Sequence, residues 1–336
     1  MKGSPHRRPL GRIVAGLAVA AAAFGLAGCG AGSSGGDKAA EGRGAERTVT
    51  HAMGTTKITK PVKRVVALDQ SFVDAALALE TEVVGYTTYR AVNETLPAYL
   101  GESARRYGKA AKPVGPLTQP SLEQVKLLKP DLILSAKVRH EQLYGQLSQI
   151  APTVFSETTG AIWKDNLRLV GRALGKEDLA ERKIKEYEAR AARIGEAIKA
   201  GNGGKAPTIS ILRFTDEPTV RLYVENSYSG IVLKDAGFVR PAGQPTVKDS
   251  IVVDVSPERI TDLDAEHIFI STYKDEKNAW EKTRRAFETN PLWGKLKGEK
   301  HEVEDLTWMS AVGVHGAHAV LDDLAKIFGV DPARAG

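Results

Sequence analysis

Cationic and aromatic side chains recur just past the short apolar runs of this sequence. Tyr86, Tyr89 and Arg90 follow the run ending at Val84, and Lys137, Arg139 and His140 follow Leu134. Arg213 comes after Leu212, Tyr273 after Ile270 and Trp308 after Leu306. Guanidinium forks and ammonium groups donate to anionic oxygens, while flat rings cover apolar surface. Few carboxylates stand among them, so the inventory suits capture of an anionic, partly apolar ligand better than acid–base catalysis. The ligand contacts expected on this basis are Tyr86, Tyr89, Arg90, Lys137, Arg139, Arg213, Tyr273 and Trp308.

Other chemistries find less support. His315 and His318 stand three apart on a predicted helix, but His51, His140, His267 and His301 have no paired spacing. A bare metal ion would need a denser histidine set, so no metal site and no resident cofactor are expected. Outside the Gly- and Ser-rich stretch around Gly32 to Gly36, the chain has no Gly-x-Ser-x-Gly elbow, and it has no HExxH and no Gly-x-Gly-x-x-Gly opening a helix, which argues against an extracytoplasmic hydrolase. Glu123 and Glu258 each fall in the first turn of a predicted helix, where a carboxylate complements the macrodipole by about 0.3–1 kcal/mol.

Lys2, Arg7, Arg8 and Arg12 precede an apolar run from Ile13 to Leu26, the make-up of a secretory signal. The run is short of the roughly 20 residues a membrane span needs. Taking those four residues from the 47 basic ones leaves 43 against 41 acidic, a net charge of +2. That balance gives no reason to expect nucleic acid as a partner. Leu26-Ala27-Gly28-Cys29 resembles the lipobox of bacterial lipoproteins, which implies acylation of Cys29 and a lipid tether on the extracytoplasmic face of the cell membrane. The export route, general secretory or twin-arginine, stays open. Cys29 is the only cysteine, so disulfides and thiolate metal sites are not expected. Residues 30–44 are dominated by Gly, Ala and Ser and read as a flexible leash.

Beyond Val62, strands alternate with helices of about ten residues, the pattern of an α/β sheet. The rhythm breaks between Ile162 and Ala200. Ala180, Ile184, Tyr187, Ala191, Ile194 and Ile198 form one apolar stripe there, predicting a helix over 176–199 about 36 Å long. A shift of 135 positions lays Ser121 on Ser256, Glu123 on Glu258, Asp131 on Glu266 and Ile133 on Ile268. The expected architecture is α/β: two Rossmann-like lobes joined by a single long α-helix, with a ligand cleft between them. Its expected divisions are a lipoprotein signal peptide over 1–28, a lipid-anchored linker over 29–46, a first lobe over 47–174, the interlobe helix over 175–200 and a second lobe over 201–332.

From about Thr48 onward the chain resembles the substrate-binding proteins of iron–siderophore and cobalamin ABC importers. PSLEQVKLLKPDLILSAK, ILRF, VRLYVENSYSGIVLKDAGFVRP and SPERITDLDAEHIFIS, in that order, carry the resemblance. It implies a monomeric receptor that hands a ferric siderophore, of hydroxamate type, to an ABC permease dimer with its ATPase subunits. It further implies that Glu123 and Glu258 pair with permease arginines. Cobalamin or haem as cargo and a membrane-coupled sensor are the alternatives within binding.

Overall fold

The computed structural model describes residues 46–89, 94–275 and 277–334. Arg90, Cys29, the signal segment and most of the linker lie outside the described residues.

The first lobe begins with an antiparallel hairpin, β1 (Arg47–His51) and β2 (Gly54–Ile58), which the sequence reading did not foresee. There follow β3 (Arg64–Ala67), α1 (Gln70–Ala78), β4 (Glu82–Thr88), α2 (Gly101–Tyr107), β5 (Lys112–Pro116), α3 (Leu122–Leu127), β6 (Leu132–Ala136), α4 (Lys137–His140), α5 (Tyr144–Ser148) and β7 (Thr153–Ser156). The five strands from β3 to β7 form one parallel sheet in the order β5-β4-β3-β6-β7. A parallel sheet is covered on both faces, so its strands carry apolar residues throughout. Alternate residues serve opposite faces. Val65, Leu132 and Leu134 join one core, and Val66, Ile133 and Phe155 the other.

Two helices follow, α6 (Trp163–Leu174) and α7 (Glu177–Gly201). Every residue of the expected apolar stripe of α7 is buried. The second lobe comprises β8 (Ile209–Phe214), β9 (Val220–Tyr223), α8 (Tyr228–Asp235), β10 (Val252–Val255), a 3₁₀ segment Pro257–Leu263, β11 (His267–Thr272), α9 (Trp280–Glu288) and β12 (Glu299–Val303). A single π-turn, Leu306–Ser310, leads to α10 (Val314–Phe328). The strand order β10-β9-β8-β11-β12 repeats that of the first lobe. The pairing does not, because β9 runs antiparallel to both β8 and β10. Only residues 215–219 separate β8 from β9, too few for the crossover that a parallel pair requires.

The repeat has a structural counterpart at the start of each sheet. Asp131, just before β6, accepts from the backbone N–H groups of Lys63 and Arg64, both at 2.9 Å. Glu266, just before β11, accepts from the N–H of Thr208 at 2.6 Å and from its hydroxyl at 3.0 Å. In both lobes a carboxylate thus clasps the beginning of the central strand. Capping differs between the copies. The Ser121 hydroxyl accepts from the Gln124 N–H at 3.3 Å, whereas the second copy is a 3₁₀ segment with Arg259 in non-helical geometry.

The lobes share one continuous core. It runs through Phe72 and Leu77 of α1, Leu167 of α6, Ile184 and Ile194 of α7, Val232 of α8 and Val320 and Leu324 of α10. Gly195 lets α7 lie directly against the end of α8, since a Cβ there would sit 2.0 Å from the Ala236 carbonyl oxygen. Buried Arg190 on α7 donates to the His318 carbonyl at 3.0 Å, to Asp322 at 2.5 Å and to the Pro332 carbonyl at 2.8 Å. Burial, with Arg190 beside it, pushes His318 down to about 4.

Asp74, wholly buried on α1, caps α10 from outside that helix. It accepts from the N–H groups of His315 and Gly316 at 3.1 and 3.2 Å. Gly313 (φ 156°) makes room for this contact, because a Cβ there would lie 2.2 Å from the Asp74 carboxyl carbon. The Tyr228 hydroxyl of the second lobe donates to the Gly313 carbonyl at 2.7 Å.

Candidate functional site

The carboxyl ends of β3 and β8 border a cavity of about 250 Å³ between the lobes. Such ends are the usual ligand position in open α/β sheets. Asp69, which follows β3, is the N-cap of α1. One of its oxygens accepts from the Ser71 N–H and hydroxyl at 3.0 and 2.8 Å. The other holds Arg139 Nε at 3.0 Å. One carboxylate therefore starts a helix and aims a guanidinium that lines the cavity.

The second lobe supplies two more guanidiniums. Arg213 donates to both oxygens of Asp305 at 2.6 Å and to the Tyr223 hydroxyl at 3.3 Å. Its side chain is only 4% exposed. Burial alone would lower its pKa, but the bonds to Asp305 and Tyr223 outweigh that and raise it. Arg221 is held by Glu217, with Nε at 2.8 Å, and this pairing raises its pKa. Arg213 and Arg221 are cross-strand partners on β8 and β9, and like charges so placed repel. Asp305 and Glu217 offset that repulsion and fix both forks. Tyr89, Tyr223 and Tyr228 add aromatic surface to the same cavity.

Of the residues expected from the sequence, Tyr89, Arg139 and Arg213 line this cavity. Arg90 lies outside the described residues. Tyr86 does not reach the cavity. It stands inside β4, which continues to Thr88, and is fully buried in the first-lobe core. Lys137 lies outside the lining, 3.3 Å from Glu157. Tyr273 lies outside the lining, its ring centroid 5.7 Å from the Arg213 guanidinium. Trp308 was expected in the cleft, but the π-turn directs it inward. It is fully buried, its indole N–H donates to Asp323 at 2.8 Å and its ring packs on Phe269. The following residues, Met309 and Ser310, line the cavity instead. The expected docking residues, Glu123 and Glu258, are both exposed. Bonds from Ser256 and from its own backbone N–H lower the pKa of Glu258.

Arg221, Tyr223 and Asp69 were missed. Asp69 carries neither the positive charge nor the ring that defined the search. Arg221 sits near the start of the reversed strand, away from its carboxyl end, and Tyr223 closes that same strand. A five-residue gap between two apolar runs was the available signal for that reversal. Among the described residues, the cleft brings no three histidine, cysteine or carboxylate groups within coordination range of one another. Each guanidinium gives part of its fork to a carboxylate, and its remaining N–H groups can donate to oxygen anions.

Comparisons with known proteins identify the family. Residues 65–301 match the family model described as periplasmic binding protein. The probable siderophore-binding lipoprotein YfiY of Bacillus subtilis (strain 168) is 36% identical, over 84% of this chain and 87% of its own length. The achromobactin-binding periplasmic protein of Dickeya dadantii (strain 3937) is 30% identical, over 80% and 87%. The crystal structure of Staphylococcus aureus SirA complexed with staphyloferrin B superposes with a TM-score of 0.74 at 31% identity, covering 85% of this chain and 99% of that one. Two like-ordered sheets, a long connecting helix and a polar cleft between the lobes are therefore those of a binding protein and not an enzyme, and this chain belongs to the periplasmic binding protein family.

Proposed function

We propose that this protein is the lipid-anchored receptor of an ABC importer and that its cargo is a ferric siderophore rich in carboxylate or α-hydroxycarboxylate donors. Arg139, Arg213 and Arg221 converging on one interlobe cavity is the observation that carries this reading. A ferric chelate of that class keeps its iron coordinatively saturated and shows anionic oxygens outward. Each such oxygen can take a charge-assisted hydrogen bond from a guanidinium, so the protein needs no metal ligand of its own. The tris-hydroxamate cargo expected from the sequence offers fewer anionic oxygens to three arginines. The names of the relatives, which include binders of achromobactin and staphyloferrin B, support a siderophore receptor.

A fluorescence or calorimetric titration of the chain beginning at Gly30 tests the cargo. Ferric citrate-type chelates should bind saturably, and ferric tris-hydroxamates, tris-catecholates, haem and cobalamin more weakly. Equal or tighter binding of a tris-hydroxamate would return the reading to the hydroxamate class. Cys29 is the proposed acylation site. The mass of the mature N-terminus reads this directly, and an unmodified cysteine would remove the tether. Glu123 and Glu258 are the proposed contacts to the two permease subunits. Replacing both by alanine should abolish uptake while leaving cargo affinity unchanged.

A further inference from the structure

Parallel pairing of β11 with β12 sets His267 beside Glu299 and Phe269 beside His301. Residues two apart on a strand share a face, so two histidines and a carboxylate gather on one side of the sheet although the histidines are 34 positions apart. His267 Nδ1 and His301 Nε2 lie 3.0 Å apart, and a Glu299 oxygen is 3.8 Å from His267 Nδ1. One ligand atom from each of the three lies within 4.8 Å of the others. Two imidazoles on one tetrahedral zinc ion, with bonds near 2.0–2.1 Å, place their nitrogens roughly 3.3–3.4 Å apart, a few tenths of an ångström beyond the spacing of the His267–His301 hydrogen bond.

The imidazoles are held rather than loose. The His267 ring meets Phe328 edge-on at 4.6 Å and stacks on His301 at 5.2 Å, while Phe269 lies 5.3 Å from His301. Glu299, with its side chain 70% exposed, needs only torsional movement to close on a third position. The opposite end of β11 meets the cleft network, where the Ser271 hydroxyl donates to Asp305 at 2.7 Å. Four residues of strand, about 13 Å, therefore separate this cluster from the cavity.

We infer that His267, His301 and Glu299 form a second, cleft-independent site for a divalent transition-metal ion of the zinc, nickel or copper class. Imidazole and carboxylate donors suit these ions. With three protein ligands, the exposed side leaves a coordination position for water or for a group from a partner. The ion would tie the edge strand β12 to β11.

The test uses the chain beginning at Gly30 without a histidine tag, titrated calorimetrically with Zn²⁺ alone and with Cu²⁺ followed by electron paramagnetic resonance. One equivalent of each ion should bind, and the copper spectrum should carry hyperfine structure from two nitrogens. His267→Ala and His301→Ala should each weaken binding by more than the roughly 10–100-fold that loss of an outer-shell partner costs, and Glu299→Gln by less. Asn replacements at the same positions keep polar shape if the alanine variants fail to fold, and melting without metal reports that control. Absence of stoichiometric binding would overturn the assignment, as would binding that survives His267→Ala/His301→Ala. Loss of binding on replacing His315 and His318 instead would place the ion elsewhere and also overturn it.

Discussion

The two lobes share a strand order but differ in how their central strands are served. In the first, α1 carries the chain over the sheet, so β3 and β4 are parallel and their carboxyl ends open together on the cleft. In the second, a tight reversal returns β9 beside β8 and places Arg221 against Arg213. Among the described residues, the first lobe thus offers the cavity one guanidinium, Arg139, whose side chain is 37% exposed, and the second offers a coupled pair. The same motif, an arginine aimed by a carboxylate, is a solvated rim contact in one lobe and a buried structural element in the other. Strand direction, more than strand order, decides how much positive charge a lobe can place at a shared mouth.

The sharpest test of that contrast removes the aiming carboxylate from each side. Asp305→Ala leaves Arg213 buried and unpaired, which should cost about 3–5 kcal/mol in a denaturant melt. Asp69→Ala loses a helix cap and a half-exposed pair, and should cost about 1–2 kcal/mol. Equal losses would erase the distinction between lobes. Next in size is the seam that joins them. His318 is held neutral, so its folded pKa of about 4 lies below the unfolded value near 6.5. The unfolded chain then binds more protons between those values. Stability should fall as pH drops from 6.5 to 4, by on the order of 3 kcal/mol at most from this group. His318→Asn keeps an acceptor for Arg190 and should flatten the acid limb of a stability profile; an unchanged limb would locate the sensitivity elsewhere.

Cargo affinity probes the contrast on a finer scale. Arg221→Ala removes an anchored fork and should weaken binding by about 10–100-fold, the worth of one charged hydrogen bond. Arg139→Ala should fall toward the lower end, about tenfold, because solvent already competes for its donors. A larger loss at Arg139 than at Arg221 would make the first lobe the main holder of cargo.

Much of the fold was legible because it rests on periodicity. The stripe from Ala180 to Ile198 marked the long helix, and the offset between Asp131 and Glu266 marked a clasp that both sheets use. Individual contacts were less legible, since they depend on where a strand stops and which way it runs. β4 extends past Tyr86 to Thr88, and that extension leaves Tyr86 in the core while Tyr89 reaches the mouth. One π-turn exchanges Trp308 for Met309 and Ser310. Just before α9, which begins at Trp280, Asn278 adopts φ 52° and Asp275 accepts from the Ala279 N–H. Sequence spacing alone does not encode such local geometry, so it revealed the scaffold more fully than the site.

The last helix completes a core that begins near the start of the chain. Val320, Leu321 and Leu324 fill space beside Phe72 and Leu77, and Asp74 waits on the N–H groups of residues 315 and 316. During synthesis, then, the half made first has an open flank until the final turns emerge. A nascent polypeptide released short of residue 314 should expose that flank and fall prey to proteases, whatever the condition of its earlier segments. Maturation is bound to completion: the molecule cannot be half ready.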